Sequence, residues 1–186
     1  MDENQRVQQV LSGNSSAFGY FVETYQNMAI TIAYRICDNM QDAEDVVQES
    51  FVKAYRNLHS FRRQSKFSSW LYRIVYNTAV THTKSRIWMS DNDIEGIDAI
   101  DAMHCSDDDT ESHLAASERS EMIEQTLSSM PKGDALLLTL YYLEDNAVKD
   151  VAQIMGLNES NVKIRLFRAR QLFKKIWSVH FPAEVV

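Results

Sequence analysis

The sequence predicts an all-α fold of two small helical domains joined by a flexible acidic linker, and three observations carry that prediction. Apolar residues recur at three-and-four spacing on both sides of the chain's middle, the period of helices that bury one stripe. Charge is segregated into two basic stretches and one acidic run between them. The stretch Val151–Arg170 sets a short apolar helix, a Gly-Leu-Asn turn and a cationic helix in succession, the plan of a helix-turn-helix.

The charge map bounds the domains. From Phe51 to Trp88 there are eight basic residues and no acidic one; from Ser160 to Pro182 there are six, again without an acid. Between them, Asp91 to Glu118 holds ten acidic residues and no Lys or Arg. The 186-residue chain carries a net charge of -7, which by itself argues against nucleic acid. Phosphate responds to the local field within about 8 Å in physiological salt, however, so two basic patches can bind DNA on an acidic protein. The Asp- and Ser-rich run at 90–117 has too little apolar surface to fold alone and reads as the linker. It leaves a domain at 1–89, a second at 118–178 and a tail at 179–186, each domain with a thin core.

In the first domain, Ser15 or Ser16 is placed to cap a helix whose inward stripe is Phe18, Phe21, Val22, Tyr25, Met28, Ala29, Ile32 and Ile36, ending near Asp38-Asn39. The next helix begins near Gln41 and buries Ala43, Val46, Val47, Phe51, Ala54, Tyr55 and Leu58. Its other face holds Asp42, Asp45, Gln48 and Glu49 in the first two turns, an arrangement that dipole complementarity and solvation already explain. A polar basic loop from His59 to Lys66 leads into a third helix at Phe67–Ala79. There Trp70, Leu71, Ile74, Val75 and Thr78 face the core, and Ser69, Arg73, Tyr76, Asn77, Val80 and Lys84 lie elsewhere. Cations interleaved with aromatics and amides suit single-stranded nucleic acid, where rings stack on bases and charge holds the backbone. Aromatics at helical spacing are more often core; that favours a packing role for Trp70 and leaves Phe61, in the basic loop, open.

In the last helix, Val162, Leu166, Ala169, Phe173 and Ile176 form the inward stripe, and Lys163, Arg165, Arg168 and Arg170 the other side. Asn158 is the expected cap, which puts Ser160 and Asn161 in the first turn, where a recognition helix meets base edges and phosphates.

Other classes find little support. No run approaches the roughly 18 to 20 apolar residues that span a bilayer, and the amino-terminal residues lack the pattern of a signal peptide, so a cytoplasmic protein is expected. Cys37 reads as a core thiol and Cys105 as an exposed linker thiol. His104, Cys105 and His113 offer no ligand framework, so no metal is expected. Without a Gly-rich phosphate loop or a Ser/His/Asp arrangement, neither catalysis nor a cofactor is expected.

Three motifs then stand together. Asp42-Ala-Glu-Asp-Val-Val-Gln-Glu-Ser-Phe-Val-Lys-Ala-Tyr55, Phe67-Ser-Ser-Trp-Leu-Tyr-Arg-Ile-Val-Tyr-Asn77 and Val162-Lys-Ile-Arg-Leu-Phe-Arg-Ala-Arg170, in this order and at these separations, resemble the extracytoplasmic-function (ECF) sigma factors of the sigma-70 class. The resemblance implies a promoter-specificity subunit of bacterial RNA polymerase, with region 2 in the first domain and region 4 in the second. It implies that Asp42, Asp45, Gln48 and Glu49 dock on the β′ coiled coil of core RNA polymerase, with the β flap as a further contact. It implies that Phe61, Arg62, Arg63, Lys66, Arg73 and Asn77 melt the proximal promoter element and hold a flipped base, with Lys84 and Arg86 on nearby phosphate. Ser160, Asn161, Lys163, Ile164, Arg165, Phe167 and Arg168 match positions that face the upstream promoter element. Asn161 stands where many members carry threonine and Ile164 where many carry serine, so the upstream sequence read here is its own. An anti-sigma factor is the further partner implied. The acidic strap is either a solvated tether or an occupant of a basic polymerase channel. The alternatives are a free-standing helix-turn-helix regulator, which leaves the basic aromatic loop and the acidic helix face without a task, and an all-helical protein adaptor, which leaves both basic stretches unexplained.

Overall fold

The computed structural model of the chain describes residues 2–63, 65–83 and 113–182, and all its regular elements among them are helical. Lys84, Arg86, Cys105 and most of the acidic strap lie outside the described residues.

Helix α1 (Glu3–Leu11) opens with the Asp2 backbone N–H donating to Gln5 Oε1 at 3.3 Å, and it buries Val7 and Val10. The serine pair begins a 3-10 turn, Ser15–Phe18, rather than the α-helix expected there. Ser16 Oγ is bonded to Asn14 Oδ1 at 2.7 Å, and no side-chain cap closes the turn. Helix α2 (Gly19–Cys37) follows and ends at Asp38, whose N–H donates to the Tyr34 carbonyl at 2.8 Å and whose left-handed backbone (φ 61°) turns the chain out of the helix. Asn39 then caps α3 (Met40–Arg56), its Oδ1 accepting from the Asp42 N–H at 3.0 Å. After the loop comes α4 (Phe67–His82). Helices α2, α3 and α4 pack on one another around Phe21, Ile32, Ile36, Val46, Leu58, Phe67 and Leu71, with the Phe21 and Phe67 rings 4.1 Å apart.

Two inward stripes differ from expectation. Tyr55 is 44% exposed, its ring edge-on to Phe18 at 5.2 Å, so it borders the core instead of filling it. On α4, Ser69 and Tyr72 are buried whereas Trp70 and Ile74 are half-buried. The reason is a second neighbour: α4 touches α2 and α3 on one side and a helix of the carboxy-terminal half on the other.

That half comprises α5 (His113–Ser128), α6 (Lys132–Leu138), α7 (Val148–Met155) and α8 (Glu159–His180). Helix α5 starts inside the stretch expected as linker, where Leu114, Ala115 and Ala116 are strong helix formers. Helix α6 widens into a π-helical segment, Thr139–Leu143. Asn146 Nδ2 donates back to the Leu140 carbonyl at 2.9 Å, closing the loop that follows. Gly156 (φ 70°) ends α7 in the left-handed turn that the Gly-Leu-Asn pattern predicts. Asn158 Oδ1 then accepts from the Asn161 N–H at 2.7 Å and caps α8, as expected.

The two halves meet along a seam in which α6 lies on α2 and α7 on α4. Arg35 Nη2 is 2.5 Å from Glu124 Oε2, and the Tyr72 hydroxyl donates to Glu144 Oε2 at 3.2 Å. Lys132 Nζ lies 3.4 Å from the Ile36 carbonyl and 3.5 Å from Asp38 Oδ2, while Gln153 Nε2 donates to Ser65 Oγ at 3.4 Å.

Candidate nucleic-acid interface

Three surfaces carry the residues singled out by sequence. On α3, burial of Ala43, Val46, Val47, Ser50 and Ala54 turns the opposite side outward. Asp45, Gln48 and Glu49 are exposed there, and Asp42 is half-buried. Glu49 pairs with Lys53 one turn on at 2.8 Å, both side chains being partly solvated, so the pair adds little stability. The face continues into Val52 and Tyr55, both exposed. An acidic rim leading into exposed apolar side chains suits a protein partner better than DNA. Sequence reasoning missed Val52 and assigned Tyr55 to the core, because a helical period cannot tell a stripe's edge from its centre.

The second surface is the basic loop with α4. Phe61 is half-buried, with ring centroids 5.5 Å from Phe67 and 5.4 Å from Trp70, so the loop is pinned to the core by an aromatic triad. Arg63 takes a positive φ of 58°, a conformation that costs a non-glycine residue about 1–2 kcal/mol. Arg62, Arg63 and Lys66 are exposed.

The residues grouped here by sequence fall around two separate concavities. Phe61, Arg63 and Lys66 line a small one of about 110 Å³ with Glu3, Asn4, Ser65 and Phe67. Asn77 lines a larger, open cleft of about 320 Å³ with Lys53, Asn57, Ser60, Trp70, Ile74, Thr78 and Thr81. Arg73 is exposed on α4 and Arg62 in the loop, and neither lines either of these two concavities. Lys53 Nζ lies 3.2 Å from Thr78 Oγ1, which holds an ammonium at the wall of the larger cleft. That cleft therefore offers an apolar wall from Trp70 and Ile74, an amide at Asn77 and a cation, in a volume within the range of small-molecule sites. A planar base could stack and hydrogen-bond there. Lys53 and Thr78 are 25 positions apart on different helices, and no local pattern in the sequence announces the pair.

The third surface is α8. Burial of Val162, Leu166 and Ala169 turns Ser160, Lys163, Phe167 and Arg168 to solvent, and leaves Asn161 and Ile164 half-buried. Arg165 stands apart: its side chain is 18% exposed, and Nη2 lies 3.1 Å from Asp134 Oδ1 of α6. Its charge reaches Tyr76 of α4, where it works against the upward push that burial gives the phenol. Arg170 donates to the Tyr142 hydroxyl at 3.2 Å.

Where α4 meets the carboxy-terminal half, burial shifts several groups upward. Burial, then the Glu144 carboxylate, raises Tyr72 well above the ordinary phenol value; burial also raises Glu144, against the hydrogen bond from Tyr72. Tyr25, beside Tyr72 and hydrogen-bonded to Glu3, is raised by burial and by that carboxylate. Cys37 is half-buried rather than fully in the core, and burial raises its thiol above the ordinary value.

Against known proteins, residues 21–89 match the family described as Sigma-70 region 2, and residues 120–173 match Sigma-70 region 4. The chain is 37% identical over 175 residues to the ECF RNA polymerase sigma-E factor of Haemophilus influenzae, spanning 90% of this chain and 91% of that protein. It is 36% identical over 179 residues to the RNA polymerase sigma-H factor of Pseudomonas aeruginosa, spanning 93% and 92%. Its fold is similar to that of CnrH, solved in complex with the cytosolic domain of CnrY, with a TM-score of 0.64 at 23% identity over 94% of this chain and 96% of that one. It is also similar to the sigma factor RpoE solved with the anti-sigma factor NepR from Bartonella quintana, with a TM-score of 0.61 at 21% identity over 87% and 97%.

Proposed function

The chain belongs to the ECF group of the sigma-70 family, whose members direct RNA polymerase to promoters, and on that premise we propose how its three surfaces divide the work. The α3 face of Asp42, Asp45, Gln48 and Glu49, extended by Val52 and Tyr55, docks on the β′ coiled coil of core polymerase. The carboxy-terminal domain meets the β flap and lays α8 in the major groove of the upstream element, with Ser160, Lys163, Phe167 and Arg168 foremost. Around α4, the basic loop and Arg73 hold the separated strand of the proximal element, and the cleft beside Asn77 receives an extruded base. The first two surfaces belong to a region 2 domain at 1–89 and the third to a region 4 domain at 118–178, and α5, which begins at His113, leads into the second.

The observation that carries this division is the Asn77 cleft. It gathers stacking surface, an amide and a cation next to a basic loop, the groups that recognise a single unpaired base. Melting needs no covalent chemistry from the chain, because binding the extruded base offsets the few kcal/mol of unstacking. Two domains that each carry a basic stretch, held on one large enzyme, gain affinity by effective concentration, each phosphate contact releasing counterions. The protein works in the cytoplasm with polymerase, without catalysis of its own, and an anti-sigma factor restrains it. Among the described residues, no helix is long and apolar enough to cross a membrane. A free-standing regulator is not favoured, since it gives the region 2 half no task.

Changing Arg62, Arg63 and Asn77 to Ala tests the division. Closed-complex formation should survive, while strand separation, read by permanganate reactivity of promoter thymines, should fall. Parental reactivity in the triple variant would remove the loop and cleft from melting.

A further inference from the structure

The smaller of the two concavities beside the basic loop has a wall that comes from outside the loop and α4. Glu3 and Asn4 of α1 line it, beside Phe61, Arg63 and Lys66, in a volume of about 110 Å³. The match to Sigma-70 region 2 begins at residue 21, so α1 lies ahead of it. This helix is nonetheless held in place. Val7 and Val10 are buried, Arg6 lies over the Tyr20 ring at 3.9 Å, and the Tyr25 hydroxyl donates to Glu3 Oε1. Helix α1 also touches the turn Leu58–Ser60, which leads into the loop. Packing within the protein therefore sets Asn4 beside Phe61 before any DNA arrives.

The groups gathered there suit one unpaired nucleotide. Phe61 and Phe67 supply ring surface, and Arg63 and Lys66, neither of which has an acidic partner among the described residues, supply charge for phosphate. The α1 wall constrains the edge of the base. Tyr25 occupies one oxygen of Glu3, and the other can only accept a hydrogen bond. It favours the amino group of adenine or cytosine and repels the carbonyl that guanine or thymine carries at the same place. The Asn4 amide can donate to the ring nitrogen next to that amino group. Phe61 lies 5.4 Å from Trp70, which lines the larger cleft, so neighbouring nucleotides of one strand can enter both concavities. We propose that the smaller concavity is a second base site, in which Glu3 and Asn4 of α1 select an adenine or a cytosine close to the base held at Asn77. The site rests on the sigma reading for the presence of a separated strand, and on the α1 wall for the choice of base.

The test uses holoenzyme assembled from core polymerase and the full chain, transcribing a promoter library randomised across the proximal element. The parental chain should prefer adenine or cytosine at one position near the one whose preference Asn77→Ala alters. Asn4 is exposed, so Asn4→Ala leaves the core intact. It should cut that preference at least about fivefold, with the Asn77 position unchanged. Glu3→Gln keeps an oxygen for the Tyr25 hydroxyl but offers the base a donor in place of an acceptor, and it should move the same position toward guanine or thymine. A purely structural role for α1 would lower transcription evenly across the library, and that result overturns the proposal. Parental preferences at every position in both variants overturn it too, as does a parental chain that favours guanine or thymine there. Promoter-directed transcription by the parental holoenzyme keeps the two readings apart: its absence sinks the sigma reading, whereas its presence with preferences that neither α1 variant alters sinks the second base site alone.

Discussion

Arg165 and Arg168 are three positions apart on α8, and both look like DNA readers in the sequence. Their surroundings separate them. Arg168 is exposed, whereas Arg165 is mostly covered and held by Asp134. Arg168→Ala should therefore cost about 1–3 kcal/mol of promoter binding, as lost base discrimination or a shallower salt slope, and leave thermal stability alone. Arg165→Ala should also lower stability, by an amount on the order of 1 kcal/mol, and with it the unfolding temperature, because it leaves the partly buried Asp134 without its partner. Thermal unfolding beside a salt series of binding measurements checks both; equal unfolding temperatures for the two variants would contradict the assignment. The Asn158 cap was legible because a cap needs only its own turn. The Asp134 pairing was not, since it joins residues 31 positions apart. For the same reason the Asn77 cleft was half visible: Asn77 was singled out, but Lys53 and Trp70 were assigned to a charge run and a core.

At the scale of elements, three helices of region 2 and the helix-turn-helix followed from apolar period and turn residues. Local chemistry fixes them: Asn39 caps α3, Gly156 ends α7, and the dipole of α3 favours its amino-terminal acids. Missed features share another cause. Helix α1 lies ahead of the first helix that the apolar period marks, and α4 carries a second buried side, with Ser69 and Tyr72 inward, that only its tertiary neighbours create. The α3 face gives a prediction of its own. Because Asp45 and Gln48 are exposed and touch no core position, replacing both with Lys should leave helicity unchanged. It should weaken association with core polymerase tenfold or more, about 1.4 kcal/mol, by setting like charge against a basic partner. Co-sedimentation with core polymerase reads this directly, and parental affinity would take the face out of the interface.

For the whole molecule, charge segregation is the most legible property, and it sets two basic stretches apart from an acidic run in a chain of net charge -7. How those domains contact each other was not legible. The seam depends on pairs such as Arg35 with Glu124 and Tyr72 with Glu144, which no periodicity within one element reveals. We propose that a single chain makes core polymerase start at particular promoters by selecting with α8 and opening with the α4 surface. The most direct test is transcription from a promoter library by core polymerase with and without the purified chain, with start sites mapped. The account predicts initiation that depends on the chain at a small set of promoters sharing two separated elements, the upstream preference being altered by Arg168→Ala and the melting lost in the Arg62, Arg63 and Asn77 triple variant. Transcripts that are the same with and without the chain, or recruitment to DNA without any gain in initiation, would contradict it.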